Sequence, residues 1–427
     1  MMADPGGREA VAAVWRIESA HIVGALARYT GDFALAEDLA QEALAEALVT
    51  WPRAGTPRNP AGWLLTVGRR RAIDAFRRRS ALDERYAALA HELGEGGIAA
   101  GATASGPART DPLWDPDRID DDVLALIFTA CHPVLSREAR VALTLRVVGG
   151  LTSDEIARAF LVPAATVQAR ITRAKKTLAA ENVPFAIPTA ADRGRRLGSV
   201  LSVIYLIFTE GSSASSGPEV IRFDLAGEAQ RLARILARLV PGEPEVHGLL
   251  ALLELTAARF PARTGPEGEP ILLEDQDRRR WDRSAIRRGR AALVQAGKVG
   301  RGLGAYGVQA AIAECHAVAP SVADTDWPRV VDLYEALNRI APSPVVELNR
   351  AVAVAMADGP AAGLEIVDRL SADGALPNSQ LLPTVRGELL ARLGRTEQAR
   401  AEWERAIELC GNDGERTVLR RKLDTLT

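Results

Sequence analysis

The feature that most constrains this chain is the spacing of its apolar residues, which recur every three or four positions in segment after segment and almost never alternate. That period belongs to helices with one buried face, whereas half-buried strands need a period of two. Breakers cut the pattern at Thr30-Gly31, Trp51 to Pro60, Gly211 to Pro218, Pro241 to Pro244, Arg263 to Pro270, Pro320, Pro342 to Pro344, Gly359-Pro360 and Gly394. The expected fold class is therefore all-α. A length of 427 residues allows several cores, and a 47% hydrophobic content is enough to fill them.

Leu151 to Leu178 carries the most specific local pattern. Thr152 followed by Glu155 is a capping box, in which each side chain satisfies a backbone amide that a helix start leaves without a partner. After a short connection, Pro163 can open a second helix, since its missing amide hydrogen costs nothing in a first turn. Val167, Ile171, Ala174 and Leu178 then mark a buried stripe at helical spacing. The opposite face carries Ala165, Gln168, Ala169, Thr172, Arg173 and Lys176, with Arg170 and Lys175 at its edges and Thr166 in its first turn. Small residues with Gln or Arg suit base edges in a major groove, while the cations suit phosphates. The pattern is that of a helix-turn-helix.

A net charge of only -2 excludes a uniformly basic nucleic-acid binder, so any DNA-binding charge must be local. Trp63 to Arg79 supplies it, with six arginines and one acid in seventeen residues. Arg70, Asp74, Arg77 and Arg78 share a helical face while Leu64, Val67 and Phe76 turn to a core, and Asp74 is placed to hold Arg70 extended. Phosphates neutralised by Arg69, Arg71, Arg77 and Arg78 would add affinity and salt dependence. Trp63 is expected in the core. Upstream, Asp38, Gln41 and Glu42 form a polar patch beside a stripe of Leu35, Leu39 and Ala43. Such an acidic face repels DNA and suits a basic protein surface.

Cys131, Cys315 and Cys410 are too scattered for a disulfide framework, which fits a reducing cytosol. The adjacent pairs Cys131-His132 and Cys315-His316 lack metal-ligand spacing, so no metal and no cofactor is expected. The longest apolar run, near Leu201 to Phe208, is too short to span a bilayer, so a soluble chain without a membrane partner is expected. Gly94 to Arg109 reads as a flexible linker. Toward the C-terminus, Gly387, Gly394, Ala399, Trp403 and Ala406 match a tetratricopeptide unit. Ala351 lies one repeat length before Gly387, and Tyr334 two before Trp403.

Taken together, these motifs resemble the extracytoplasmic-function (ECF) class of sigma-70 factors. Glu37 to Ala43 looks like region 2.2, whose role in the family is docking on the β′ clamp helices of RNA polymerase. Trp63 to Arg79 looks like regions 2.3 and 2.4, which melt and read the minus-10 element, with Asn59-Pro60 beside the loop that captures a flipped base. Residues 136 to 178 look like region 4, which reads the minus-35 element. The family's Gly near the turn and its Gly-Thr-Val-Lys-Ser-Arg opening are replaced here by Phe160-Leu161-Val162 and Ala165 to Arg170. The 234 residues after Arg193, with Tyr205 to Gly211 and Leu273 to Arg278, look like the subfamily with a long helical, tetratricopeptide-like extension, which implies a role in regulating activity.

The resemblance implies this organisation: region 2 over 9–86, a flexible linker over 87–119, region 4 over 120–182, a helical extension over 193–302 and repeats over 303–427. It implies minus-10 contacts from Asn59, Trp63, Arg69, Arg70, Arg71, Asp74, Arg77 and Arg78. Minus-35 contacts would come from Thr166, Gln168, Ala169, Arg170, Thr172, Arg173, Lys175 and Lys176, and polymerase docking from Asp38, Gln41 and Glu42. The expected partners are core polymerase, through its β′ clamp helices and β subunit, promoter DNA, and a partner for the extension, with no catalysis by this chain. The rival reading is a helix-turn-helix regulator with a sensing solenoid. A third, a hydrolase using Asp275 and Asp277, is less favoured than a buried ion-pair network around Asp275, Asp277 and Arg278.

Overall fold

Asp32 sets the first boundary: its carboxylate accepts hydrogen bonds from the amides of Ala34 and Leu35 at 2.9 and 3.0 Å, starting a helix directly after the Thr30-Gly31 break. The computed structural model describes residues 5–92, 119–160, 162–212, 223–265, 271–300, 302–411 and 413–426. Among these the regular elements are helices, apart from a lone bridge at Thr264. The chain divides into two compact units, Met1–Val203 and Ile204–Thr427.

In the first unit, α1 (Pro5–Thr30), α2 (Phe33–Ala54) and α3 (Pro60–Glu92) pack around Ile22, Val23, Leu26, Ala36, Leu39, Ala43, Leu64 and Val67, all buried. Alanines line much of α2 and let it lie close to α1. Gly68 serves the same end on α3, since a Cβ there would come within 2.9 Å of the Leu26 side chain. Helix α3 runs to Glu92, past the expected boundary. The linker Gly94 to Arg109 lies outside the described residues.

The longest unbroken apolar run, near Leu201 to Phe208, is too short for a bilayer, but Arg8–Thr30 of α1 has the length and apolarity to cross one. Over half of that window is buried in this unit, as expected of a core helix wrapped by neighbours.

Helices α4 (Ile119–Ala130), α5 (Arg137–Val147), α6 (Ser153–Ala159) and α7 (Ala164–Ala180) form the second module. This module rests on α1 within the same unit. Arg28 Nε donates to both carboxylate oxygens of Asp122 at 3.1 and 3.0 Å, and Arg16 pairs with Glu155 at 2.6 Å. Gly150 adopts φ +69, and a Cβ there would meet Ser19 Oγ at 2.7 Å. Helix α8 (Ala190–Ser212) begins in this unit, where Ser199 Oγ donates to the Cys131 carbonyl at 2.7 Å. Cys131 is buried against Thr144, and burial pushes its thiol up to about 12, which suits a core residue rather than a ligand.

The second unit is a succession of helices: α9 (Phe223–Leu239), α10 (Pro244–Ala257), α11 (Phe260–Arg263), α12 (Arg283–Lys298), α13 (Ala305–Val318), α14 (Trp327–Ile340), α15 (Pro344–Ala357), α16 (Pro360–Ala372), α17 (Leu381–Arg392), α18 (Thr396–Leu409) and α19 (Asp413–Asp424). Buried Glu254 on α10 is satisfied by Arg234 and Arg288 at 2.8 and 2.9 Å. From α14 onward successive helices of twelve to fourteen residues pair as tetratricopeptide-like hairpins. In α17/α18, Gly387 lets the Trp403 ring approach so closely that a Cβ would lie 2.5 Å from it. In α15/α16 the small residue has moved to the second helix, where Gly363 lies against the Ala351 carbonyl. The close approach in this pair is therefore made by a small residue of the second helix rather than of the first.

The expected buried ion-pair network around Asp275, Asp277 and Arg278 is not what forms. Asp277 pairs with its exposed neighbour Arg279 at 2.9 Å, Asp275 is exposed, and Arg278 donates to the carbonyls of His316 and Ala319 at 2.5 and 2.7 Å. Around the short 3-10 turn over Arg278–Arg280, Asp277 meets Arg279 at the surface while Arg278 turns to backbone carbonyls instead of a carboxylate. No group of metal-ligating side chains occurs among the described residues.

Candidate nucleic-acid and polymerase interface

The capping box forms in both directions. The Glu155 amide donates to Thr152 Oγ1 at 3.1 Å and the Thr152 amide donates to Glu155 Oε2 at 2.7 Å. The turn then closes with the Val162 amide on the Ala157 carbonyl at 3.0 Å. Pro163 sits one position earlier than expected, as the extended cap residue (φ -60, ψ 142), and α7 begins at Ala164. Val167, Ile171, Ala174 and Leu178 are the buried residues of α7. Ala165, Gln168, Ala169, Thr172, Arg173 and Lys176 are exposed, while Thr166, Arg170 and Lys175 are half-buried. The second helix thus offers one continuous face of small, amide and cationic side chains.

Lys175 is the exception, because it turns away from that face toward α2. Its ammonium bridges Glu37 Oε2 at 2.8 Å and Asp38 Oδ1 at 2.5 Å, and Arg146 from α5 reaches Glu37 Oε1 at 3.3 Å. Burial pushes Lys175 down, yet Glu37 and Asp38 outweigh it and hold the group above the usual lysine value. A residue expected to contact DNA is therefore joined to one expected to dock on polymerase. Glu37, buried between them, was not singled out by sequence reasoning. Its signal was its place beside the α2 apolar stripe, where a solvated glutamate does not belong.

The arginine helix has a similar surprise. Asp74 does not hold Arg70. Arg70 instead donates to Glu46 at 2.8 and 3.1 Å, while Arg71 reaches Glu42 at 2.9 Å and Glu46 at 2.8 Å. Burial pushes Glu46 up, but the hydrogen bonds from Arg71 and Arg70 prevail and hold its carboxyl below the usual range. Glu46 lies one turn beyond Glu42 on α2, so both reach α3 together. Arg77 and Arg78 are exposed and have no carboxylate partner among the described residues; with Glu42, Arg71 and Asp74 they line an open cleft. Arg69 lies over the Tyr29 ring at 5.7 Å. Trp63 is half-buried and meets Trp51 edge-on at 5.6 Å, which places it at the border of the core. Asn59 caps α3, its Oδ1 accepting from the Gly62 amide at 2.9 Å. Asp38 and Glu42 are exposed, and Gln41 is half-buried with its amide nitrogen unpaired.

Three family models match this chain: "Sigma-70 region 2" over 17–81, "Sigma-70, region 4" over 125–178, and "Family of unknown function (DUF6596)" over 196–297. An all-helical chain with those two regions in that order, followed by a tetratricopeptide-like helical extension, is an alternative sigma factor of the ECF type. It belongs to the same family as "Uncharacterized protein R00370" of Rhizobium meliloti, which is 44% identical over 416 residues, 95% of this chain and 93% of that one. The "Probable ECF RNA polymerase sigma factor SigI" of Mycobacterium tuberculosis is 27% identical over 184 residues, 43% of this chain and 59% of its own length. Among solved structures, a tetratricopeptide repeat protein from Parabacteroides merdae aligns with 64% of this chain and 98% of its own at 12% identity, with a TM-score of 0.34.

Proposed function

We propose that this sigma factor docks on core RNA polymerase through the α2 face carrying Asp38, Gln41 and Glu42, with the β′ clamp helices as the receiving basic surface. The minus-10 element is held by Asn59, Trp63, Arg69, Asp74, Arg77 and Arg78, with Arg70 and Arg71 joining once Glu46 and Glu42 release them. The minus-35 element is read by the exposed α7 face from Thr166 to Lys176. The chain itself performs no chemistry; it positions the enzyme, in the cytoplasm where polymerase works, and the C-terminal extension regulates that step.

The observation that carries this reading is α7: a capped helix-turn-helix whose second helix buries one stripe and exposes Gln168, Ala169, Thr172, Arg173 and Lys176 on the other. The test is promoter-dependent run-off transcription with core polymerase, comparing the full chain with one ending near Glu181. A defined transcript from either supports the reading. Its absence from both, with intact helical content, overturns it. Equal transcript and equal core binding from the two chains would remove the regulatory role of the extension alone.

A further inference from the structure

The second unit gathers three arginines with no carboxylate in ion-pair contact among the described residues; Glu415 and Asp324 act on Arg263 and Arg278 from a distance, and no carboxylate acts on Arg259. Arg259 follows α10, Arg263 ends α11, and Arg278 lies on the 3-10 turn before Trp281. None forms an ion pair among the described residues. Two have a structural occupation: Arg263 Nη1 donates to the Ser212 carbonyl at 2.6 Å, at the end of α8, and Arg278 Nη1 binds the carbonyls at the end of α13. Helix C-termini carry partial negative charge and favour cations there. Arg259 has no such compensation. Its recorded hydrogen bond is a long one, 3.4 Å from Nε to the neutral Gln276 Oε1, and its guanidinium lies 5.5 Å from the Trp281 ring that Arg278 also faces at 4.6 Å. Burial, together with the neighbouring charges of Arg263 and Arg278, brings Arg259 down to about 10.

Three further polar atoms on the residues of this cluster are buried and without partners among the described residues: Arg278 Nη2, Trp281 Nε1 and His316 Nδ1. Burial, reinforced by Arg259 and Arg278, pushes His316 down to about 4, so the imidazole is neutral at physiological pH. Buried polar groups in folded proteins are almost always satisfied, and buried charges are paired. A cluster that is both cationic and under-bonded lacks a specific thing: an acceptor with negative charge. Planar guanidiniums bind tetrahedral or planar oxyanions through parallel hydrogen bonds, and indole and imidazole nitrogens can add donors.

We propose that Arg259, with Arg278, Trp281 and His316, forms an oxyanion-binding site in the second unit, for the phosphate or carboxylate group of a small diffusible ligand. The proposal does not depend on how the first unit meets polymerase or DNA.

The full chain, dialysed free of phosphate and carboxylates, is titrated with inorganic phosphate and separately with succinate, at ionic strength held constant with potassium chloride. Binding is followed by calorimetry and melting temperature. Saturable binding of one of the two is expected, and which one binds distinguishes a phosphoryl from a carboxylate ligand. Arg259→Met should weaken it by about tenfold or more, and Arg259→Lys, which keeps the charge but loses the fork, by a smaller factor. Arg279→Gln, at an exposed arginine whose ion pair among the described residues is with Asp277, should leave it unchanged. Arg259→Met should also melt slightly higher than the parent before phosphate or succinate is added, because an uncompensated buried charge is gone. No saturable binding of either anion, or undiminished binding by both Arg259 variants, overturns the site; Arg259→Lys decides if Arg259→Met does not fold.

Discussion

Glu37 is buried, its carboxylate shared by Arg146 and Lys175 across three helices. Both cations are themselves largely covered, so removing the carboxylate leaves two positive charges with reduced solvation. That penalty, rather than the attraction of the pairs, sets the cost. Glu37→Gln should lower unfolding free energy by about 3 kcal/mol. Glu42, whose pair with Arg71 is half open to solvent, should change it by no more than about 1 kcal/mol as Glu42→Gln. Urea denaturation followed by helical signal distinguishes the two; similar midpoints for both variants would mean that Glu37 is solvated in solution. Spacing places Glu42 on the acidic face but does not tell the fate of Glu37, since an acid near an apolar stripe reads the same whether its partner is water or a lysine 138 positions away.

At the scale of elements, the local code was clear where it is self-contained. The Thr152 and Glu155 box, the α7 stripe and the breaks between helices use residues within one or two turns of each other, so spacing alone defines them. The same holds for Gly387, identified from the repeat pattern and found under the Trp403 ring. Filling that contact should force the hairpin apart: Gly387→Val is expected to cost about 2 kcal/mol or more through overpacking. Gly363→Val should act likewise on α15/α16, although sequence pattern did not mark that position. Hydrogen exchange across α17 and α18 checks the first variant. Protection equal to the parent there would show that the close approach does not exist.

For the whole molecule, the packing of the two sigma modules against one another within the first unit bears most on function. Lys175 occupies Asp38 and Glu37, and Arg71 occupies Glu42, so the proposed docking face is partly neutralised by the protein's own cations. Binding to a basic polymerase surface then competes with an internal contact, and any ligand shifts an equilibrium only by its preference for one state. Lys175→Ala should tighten core polymerase binding by a few-fold, about the worth of its pair with the exposed Asp38 carboxylate. Its promoter affinity without polymerase should not rise. Fluorescence anisotropy with labelled protein measures both; unchanged core affinity would remove the competition.

The sequence by itself determined the helices, their caps, the buried stripe of α7, the order of the modules and the residue classes on each candidate surface. These are set by periodicity and by bonds that close within a few residues. The tertiary structure alone decided the partners: Arg70 with Glu46 rather than Asp74, Lys175 with Glu37 rather than open solvent, and Arg278 with helix-end carbonyls rather than a carboxylate. A long charged side chain has many acceptors within reach. Which one it takes depends on which faces of distant helices meet, and that is fixed by core packing rather than by spacing along the chain.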